Sequence, residues 1–159
     1  MIRPTIPADT DTLVALAEAT GVFKPLEIQA LREVLDDYHA TNHRNDHRCV
    51  TFEQAGEALG FAYYAPAAMT DRSWYLYWIA VKSHTQARGI GGKLLRSVEH
   101  DIARSGGRVL FIETSSLGHY DLTRRFYLKH QYEQAATIPD YYADGDHMVV
   151  FRKRFGQDD

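Results

Sequence analysis

WYLYWIAVKSHTQARGIGGKLLRSVE, residues Trp74 to Glu99, begins as one kind of secondary structure and ends as another. Trp74 to Val81 is an unbroken apolar, aromatic-rich run of strand length. Leu94, Leu95, Val98 and Ile102 then recur at helical spacing. Between the two lies Gln86-Ala87-Arg88-Gly89-Ile90-Gly91-Gly92. Glycines at a helix entry let backbone N–H groups converge on one point without obstruction from Cβ. Together with the positive end of the helix dipole they make an anion site suited to phosphate.

Two common glycine loops fail on specific residues. A P-loop requires G-x-x-x-x-G-K-[ST]. Gly92-Lys93 supplies its central pair, but Ala87 stands at the first glycine and Leu94 at the magnesium-binding hydroxyl. A dinucleotide fingerprint requires G-x-G-x-x-G. Gly89 and Gly91 fit, but Leu94 occupies the third position, and the loop follows a long preceding segment.

The pattern that fits is Q/R-x-x-G-x-G/A, carried by Gln86, Gly89 and Gly91 beyond the strand-end triplet Ile79-Ala80-Val81. A second segment, Arg125-Phe126-Tyr127-Leu128-Lys129-His130-Gln131-Tyr132, matches a helix ending in F-Y-x-x-x-G-F. Strand, loop, helix and second segment together resemble the GCN5-related N-acetyltransferase (GNAT) superfamily, well over residues 48–154 and loosely before. The resemblance implies an α/β (α+β) fold with a mixed, mostly antiparallel sheet of about six to seven strands flanked by about four helices. It also implies acetyl-coenzyme A as cosubstrate. Backbone groups of Ile79, Ala80 and Val81 would hold the pantetheine arm and polarise the acetyl carbonyl, where neighbouring strands splay apart in the family. Gln86, Ala87, Arg88, Gly89, Ile90 and Gly91, with Gly92 and Lys93, would bind the pyrophosphate.

The same resemblance assigns the chemistry. Tyr127 matches the tyrosine that faces the coenzyme sulfur and donates a proton. A phenol with pKa ~10 keeps its proton at neutral pH. Some members carry a glutamate base on the central strand, but Tyr75 stands there. Others use one on the following strand, which is Glu113 in this chain. Glu113 would deprotonate the amine through a water, or else pair with an arginine such as Arg108 or Arg125. Tyr120 stands at the position of a coenzyme-contacting asparagine, and Gln131 replaces the glycine of the G-F pair.

The 159 residues are expected to form a single domain. A net charge of −3 disfavours generic nucleic-acid binding or a polybasic membrane role. Cys49 is the sole cysteine, which precludes a disulfide within the chain and suits a reducing cytoplasm. The start, MIRPTIPADTD, lacks the basic-then-apolar order of a signal peptide, and no apolar stretch approaches the ~20 residues of a membrane span. A homodimer remains one option for the assembly.

Along the chain, Ile2 to Thr5 reads as a short strand, followed by a helix with Asp9 as N-cap and Gly21 as terminator. Pro25 opens a second helix with apolar positions Leu26, Ala30, Leu31, Val34 and Leu35. Its carboxylates Glu27, Glu33, Asp36 and Asp37 would either meet a cationic substrate or form a solvated face. His39, His43 and His47 recur every fourth residue, but no further ligand completes a metal motif, so no metal is expected. Arg48–Glu53 and Glu57–Ala65 form a hairpin around Ala55-Gly56. Arg108–Thr114 continues the central unit as a parallel strand. Tyr120–His130 is a helix, and strands at Tyr132–Ile138 and His147–Arg154 close the chain around a loop at 139–146. The function expected is acetyl transfer from acetyl-coenzyme A to a primary amine of a small molecule or peptide. The rivals are a longer acyl group or another nucleophile, and a non-catalytic acyl-coenzyme A-binding module.

Overall fold

The computed structural model describes residues 1–85 and 88–156. The strands are β1 (Ile2–Pro4), β2 (Arg48–Gln54), β3 (Glu57–Pro66), β4 (Ser73–Val81), β5 (Val109–Ser115), β6 (Glu133–Ala143) and β7 (Asp146–Arg154). The α-helices are α1 (Thr10–Ala19), α2 (Pro25–Ala40), α3 (Ile90–Arg104) and α4 (Asp121–Lys129). The strands form a seven-stranded sheet in the order β1-β2-β3-β4-β5-β7-β6. Pairings β1/β2, β2/β3, β5/β7 and β6/β7 are antiparallel, and β4/β5 is parallel. This is the mixed, mostly antiparallel sheet expected from the sequence.

The chain divides into two bodies, Met1–Pro66 with Leu76–Asp101, and Ala67–Tyr75 with Ile102–Asp159. In the first, α1 and α2 bury Leu13, Leu16, Ala17, Leu31 and Leu35 with Phe61 and Tyr63 of β3. Leu26, on the apolar pattern of α2, is instead 76% exposed, because it lies in the first turn before the helix meets its partners. Pro25 starts that helix, and the Glu27 carboxylate accepts from the Lys24 backbone N–H at 2.9 Å. Asp9 does not cap α1 with its side chain. Its carboxylate takes both Arg3 guanidinium nitrogens, at 2.8 and 2.9 Å, and the Ile6 N–H. That pairing holds its pKa below the ordinary carboxylate value. Gly21, with φ +72°, follows α1 as the sequence requires. The β2–β3 hairpin turns through Ala55 and Gly56, both at positive φ, the conformation that suits the twist of paired strands.

In the second body, Val109, Leu110, Ile112, Tyr127, Tyr132, Met148 and Phe151 are buried. The stretch 139–146 corrects the sequence reading. It is not a loop, since β6 continues to Ala143 and returns through Asp144-Gly145 into β7. Register slips between Ile138 and Ala143, and Asp140 sits at φ +55°. Proline, aspartates and glycine made that stretch read as coil, but they serve a bulged edge strand. All of β6 is exposed, so no periodic burial pattern marks it in the sequence.

Gly106 and Gly107 follow α3 for different reasons. Gly106 takes φ +80° and stops the helix. A Cβ on Gly107 would lie 2.3 Å from Ile102 Cγ2 and 2.9 Å from Trp74 Cδ1. Gly107→Ala is therefore an overpacking change, expected to cost about 1–3 kcal/mol. A urea unfolding midpoint equal to that of the parent would show that Ile102 and Trp74 yield without cost.

Candidate active site

Lys82, just past β4, donates its backbone N–H to Leu59 O at 2.8 Å. Thr85 N–H returns to Lys82 O at 3.1 Å, and Arg88 N–H to Thr85 O at 3.1 Å. These bonds lie between the strand end and the helix. Gly89 then takes φ +73°, where a side chain is strained, although nothing lies within 4 Å of the position a Cβ would occupy. The Lys93 N–H bonds Gly89 O at 3.1 Å, within the first turn of α3. The first N–H groups of a helix have no intrahelical acceptor, so those at the start of α3 are left for a ligand. Arg88 and Lys93 are exposed beside them, with Lys93 Nζ 5.8 Å from the Phe52 ring centre. Open space at Gly89, amide donors, helix dipole and two cations fit a pyrophosphate. Gln86 and Ala87, assigned to the same cradle, lie outside the described residues.

Gly60 of β3 escaped the sequence reading. A Cβ there would lie 3.0 Å from both Ala80 O and Leu94 Cδ1, and 3.4 Å from Ile90 Cγ2. Its absence lets the first turns of α3 approach the strands that carry the site. The available signal was a lone glycine inside a strand run, which marks close approach. Ile79 and Val81 are half-buried and Ala80 is buried. Among the described residues, the β4–β5 register comprises Ser73↔Val109, Trp74↔Leu110 and Tyr75↔Phe111. Ile79 to Val81 come later in β4 than that register.

Glu113 stands on β5 opposite Val150 of β7. It points outward between buried Ile112 and Thr114, and Thr114 Oγ1 is buried with no hydrogen-bond partner. Among the described residues, Glu113 forms no ion pair. Arg108 turns to Asp71, whose backbone oxygen accepts from Nε at 3.0 Å, and Arg125 pairs with Asp121 at 3.0 Å. Partial desolvation raises the Glu113 carboxyl pKa, even though the residue reaches the surface. Desolvation also raises the Tyr75 phenol, with the Glu113 charge a lesser cause.

Tyr127 is 3% exposed on α4. Its ring lies 5.5 Å from that of Phe151 and 5.9 Å, edge-on, from that of Tyr132. Burial pushes its phenol well above the ordinary value, with Tyr120 a lesser contributor. Tyr120 is half-buried at the start of α4. Three hydrogen bonds gather around that helix start. Arg124 Nη1 donates to Ser115 O at 2.7 Å and to Leu117 O at 3.0 Å, and the Ser115 hydroxyl bonds the buried Asp146 carboxylate. Gln131 adopts φ +70°, so it fills the left-handed role of the missing glycine, and Tyr132 N–H closes on Tyr127 O at 3.0 Å.

The three spaced histidines have separate surroundings. His43 Nδ1 lies 2.8 Å from Tyr38 O, His47 Nδ1 lies 2.6 Å from the Tyr63 hydroxyl, and His39 Nε2 is buried with no partner. Among the described residues, no group of three or more His, Cys, Asp or Glu is placed to hold a metal. No helix among them is long and apolar enough to cross a membrane.

The chain matches the family model described as the acetyltransferase (GNAT) family over residues 14–132. Among solved structures, it is similar to a GNAT-family acetyltransferase from Desulfovibrio desulfuricans, with TM-score 0.94 and 32% identity over 98% of this chain and 99% of that one. An aminoglycoside 6'-N-acetyltransferase complexed with coenzyme A shares the fold, with TM-score 0.79 and 18% identity over 100% and 99% of the two chains. The chain is also 33% identical over 79 residues to MJ1530, an uncharacterized N-acetyltransferase of Methanocaldococcus jannaschii. That match spans about half of each, 48% of this chain and 48% of the relative. With the family model spanning most of its length and a full-length structural relative, the chain belongs to the GNAT acetyltransferase family.

Proposed function

We propose that the protein transfers an acetyl group from acetyl-coenzyme A to a primary amine of a small molecule or peptide, in the cytoplasm, with residues 1–159 acting as one domain. The observation that carries the reading is the junction from β4 to α3, where a positive-φ glycine opens a helix flanked by Arg88 and Lys93. Gly89, Ile90, Gly91, Gly92 and Lys93, with Gln86, Ala87 and Arg88, hold the pyrophosphate. Ile79, Ala80 and Val81 align the thioester, and Tyr120 contacts the coenzyme.

Glu113 acts as the base. An alkylammonium with pKa ~10.4 is mostly charged at neutral pH and must lose a proton before it attacks. A carboxylate raised by desolvation is a better acceptor for that proton than one in open water. Tyr127 stands at the other end of the reaction, beside the departing sulfur. Burial strengthens its hold on its proton, so it stabilises the thiolate as a hydrogen-bond donor and replaces any proton it gives up from the amine. The C–N bond forms and the acyl C–S bond breaks; of the two protons the ammonium loses, one leaves through Glu113 to solvent before attack and the other ends on the departing coenzyme sulfur. The rival reading, a non-catalytic coenzyme sensor, needs the cradle but neither Glu113 nor Tyr127.

Gly89→Val places a β-branched residue at φ +73° and should weaken coenzyme A binding while the fold persists. Unchanged affinity by calorimetry in the folded variant would remove the cradle from this loop. Glu113→Gln should lower turnover about 100- to 10,000-fold near neutral pH, the usual contribution of a positioned base. It should recover in part at high pH, where more acceptor is already neutral. Tyr127→Phe should lower turnover with little change in coenzyme affinity. Wild-type pH–rate profiles in both variants, measured by thiol release over an amine panel, would make both residues structural.

A further inference from the structure

One cavity of about 160 Å³ lies wholly within the first body and is unused by the coenzyme cradle. A cavity of that order takes a ligand fragment of about the size of benzene. Its walls include Asp37 of α2, Asn42 and His47 beyond it, Tyr63 of β3, and Tyr77 and Trp78 of β4. Tyr63 meets Tyr77 at 6.5 Å between ring centres and His47 at 5.7 Å, both edge-on. Tyr77 is 53% exposed, so its ring is not spent on the core. Among the described residues, no lysine or arginine lines the cavity.

This chemistry selects a cation. Aromatic faces carry negative charge density and attract ammonium groups within about 6 Å of the ring centre. Asp37 supplies a full counter-charge, and among the described residues it forms no ion pair. Its charge reaches the Tyr63 phenol, where it is one of the lesser causes of that group's raised pKa. Desolvation lowers the His47 pKa, so the ring stays neutral at pH 7 and does not oppose a cation.

The cage cannot serve the nitrogen that reacts. A site that stabilises an ammonium holds its proton on, whereas the attacking nitrogen must lose one. It suits a second, non-reacting ammonium on the same molecule. Trp78 directly precedes Ile79, whose backbone aligns the thioester in the reading above, and a strand rises about 3.3 Å per residue. A ligand that reaches both needs a chain between its two nitrogens. We infer that the acceptor is an aliphatic di- or polyamine whose distal ammonium sits among Tyr63, Tyr77 and Trp78 with Asp37 as its counter-ion. The inference rests on the acetyltransferase reading for the fate of the other nitrogen, but not for the cation site itself.

The test is calorimetric binding of tetramethylenediamine, n-butylamine and an aminobutanol to the full chain, with and without coenzyme A. The diamine should bind at least about tenfold tighter than either comparator, equivalent to about 1.4 kcal/mol. Asp37→Asn, a change at an exposed carboxylate, should erase most of that advantage, and Tyr77→Leu should reduce it. Circular dichroism would establish that both variants fold. Equal affinities for the three ligands in the parent, or an undiminished diamine advantage in folded Asp37→Asn, would overturn the inference. Thiol release tells the two readings apart. Turnover on monoamines with no diamine preference leaves acetyl transfer standing and rejects the cage. A diamine preference in binding without turnover on any amine leaves the cation site and rejects the acceptor role.

Discussion

The first turn of α3 can meet the strands closely because Gly60 has no side chain. Ile90 and Leu94 are 1% and 0% exposed, packed with Phe52 and Leu59, while Gly60 keeps its two contacts with Ala80 O and Leu94 just open. A helix end is an anion site only if its free amides are held still at the point where the ligand arrives. Here the apolar side chains of the first turns do the holding, and the glycines leave the amides uncovered. The same packing sets the helix end against Ala80, so in the proposed reading the phosphate cradle and the strand end that aligns the acyl group share one small buried cluster. A larger residue at Gly60 would disturb both together, although it touches neither ligand.

The second body solves a different problem, which is to keep two ionisable groups in opposite states. Glu113 sits on a strand whose neighbours bury it only partly, so its pKa rises while an anion remains accessible. Tyr127 is enclosed by Phe126, Tyr132 and Phe151, and that enclosure keeps the phenol protonated. Both shifts have the same leading cause, desolvation, and they differ in consequence because the two groups begin on opposite sides of neutrality. Arg108 and Arg125 are engaged by Asp71 and Asp121. Among the described residues, neither arginine is therefore paired with Glu113, and desolvation is left as the cause of its raised pKa.

Much of this was legible in the sequence because it depends on local rules. The β4–loop–α3 passage combines a strand-length apolar run, glycines and a helical period. The Ala55-Gly56 hairpin, the start at Pro25 and the stop at Gly21 are each set by residues adjacent in the chain. What escaped depends on partners distant in sequence. Gly60 matters because of Ala80 and Leu94. Asp146 is buried because Ser115 meets it from another strand, whereas the sequence shows only one more acid in a polar stretch. The bulged end of β6 has no buried face, so periodicity had nothing to detect. Gln131 at a position that favours glycine shows the converse, since closure by Tyr132 and packing of its ring tolerate a strained side-chain residue.

The histidines at 39, 43 and 47 show how a periodic signal can be real and yet misdirect. A four-residue repeat places side chains on one face only while the helix lasts, and α2 ends at Ala40. After it the chain passes through a 3-10 turn and a left-handed Asp46, so His47 leaves the helical face and reaches the Tyr63 hydroxyl. Asp37, in the last turn of α2, remains beside the cavity that His47 helps to wall. Ending the helix there brings a carboxylate, a neutral imidazole and strand aromatics around one space. A continuous helix would have kept the imidazoles in a row and away from the tyrosines. The helix terminus thus converts a pattern that resembles a metal site into a surface suited to an organic cation. The strands supply the rings, and the broken helix supplies the charge.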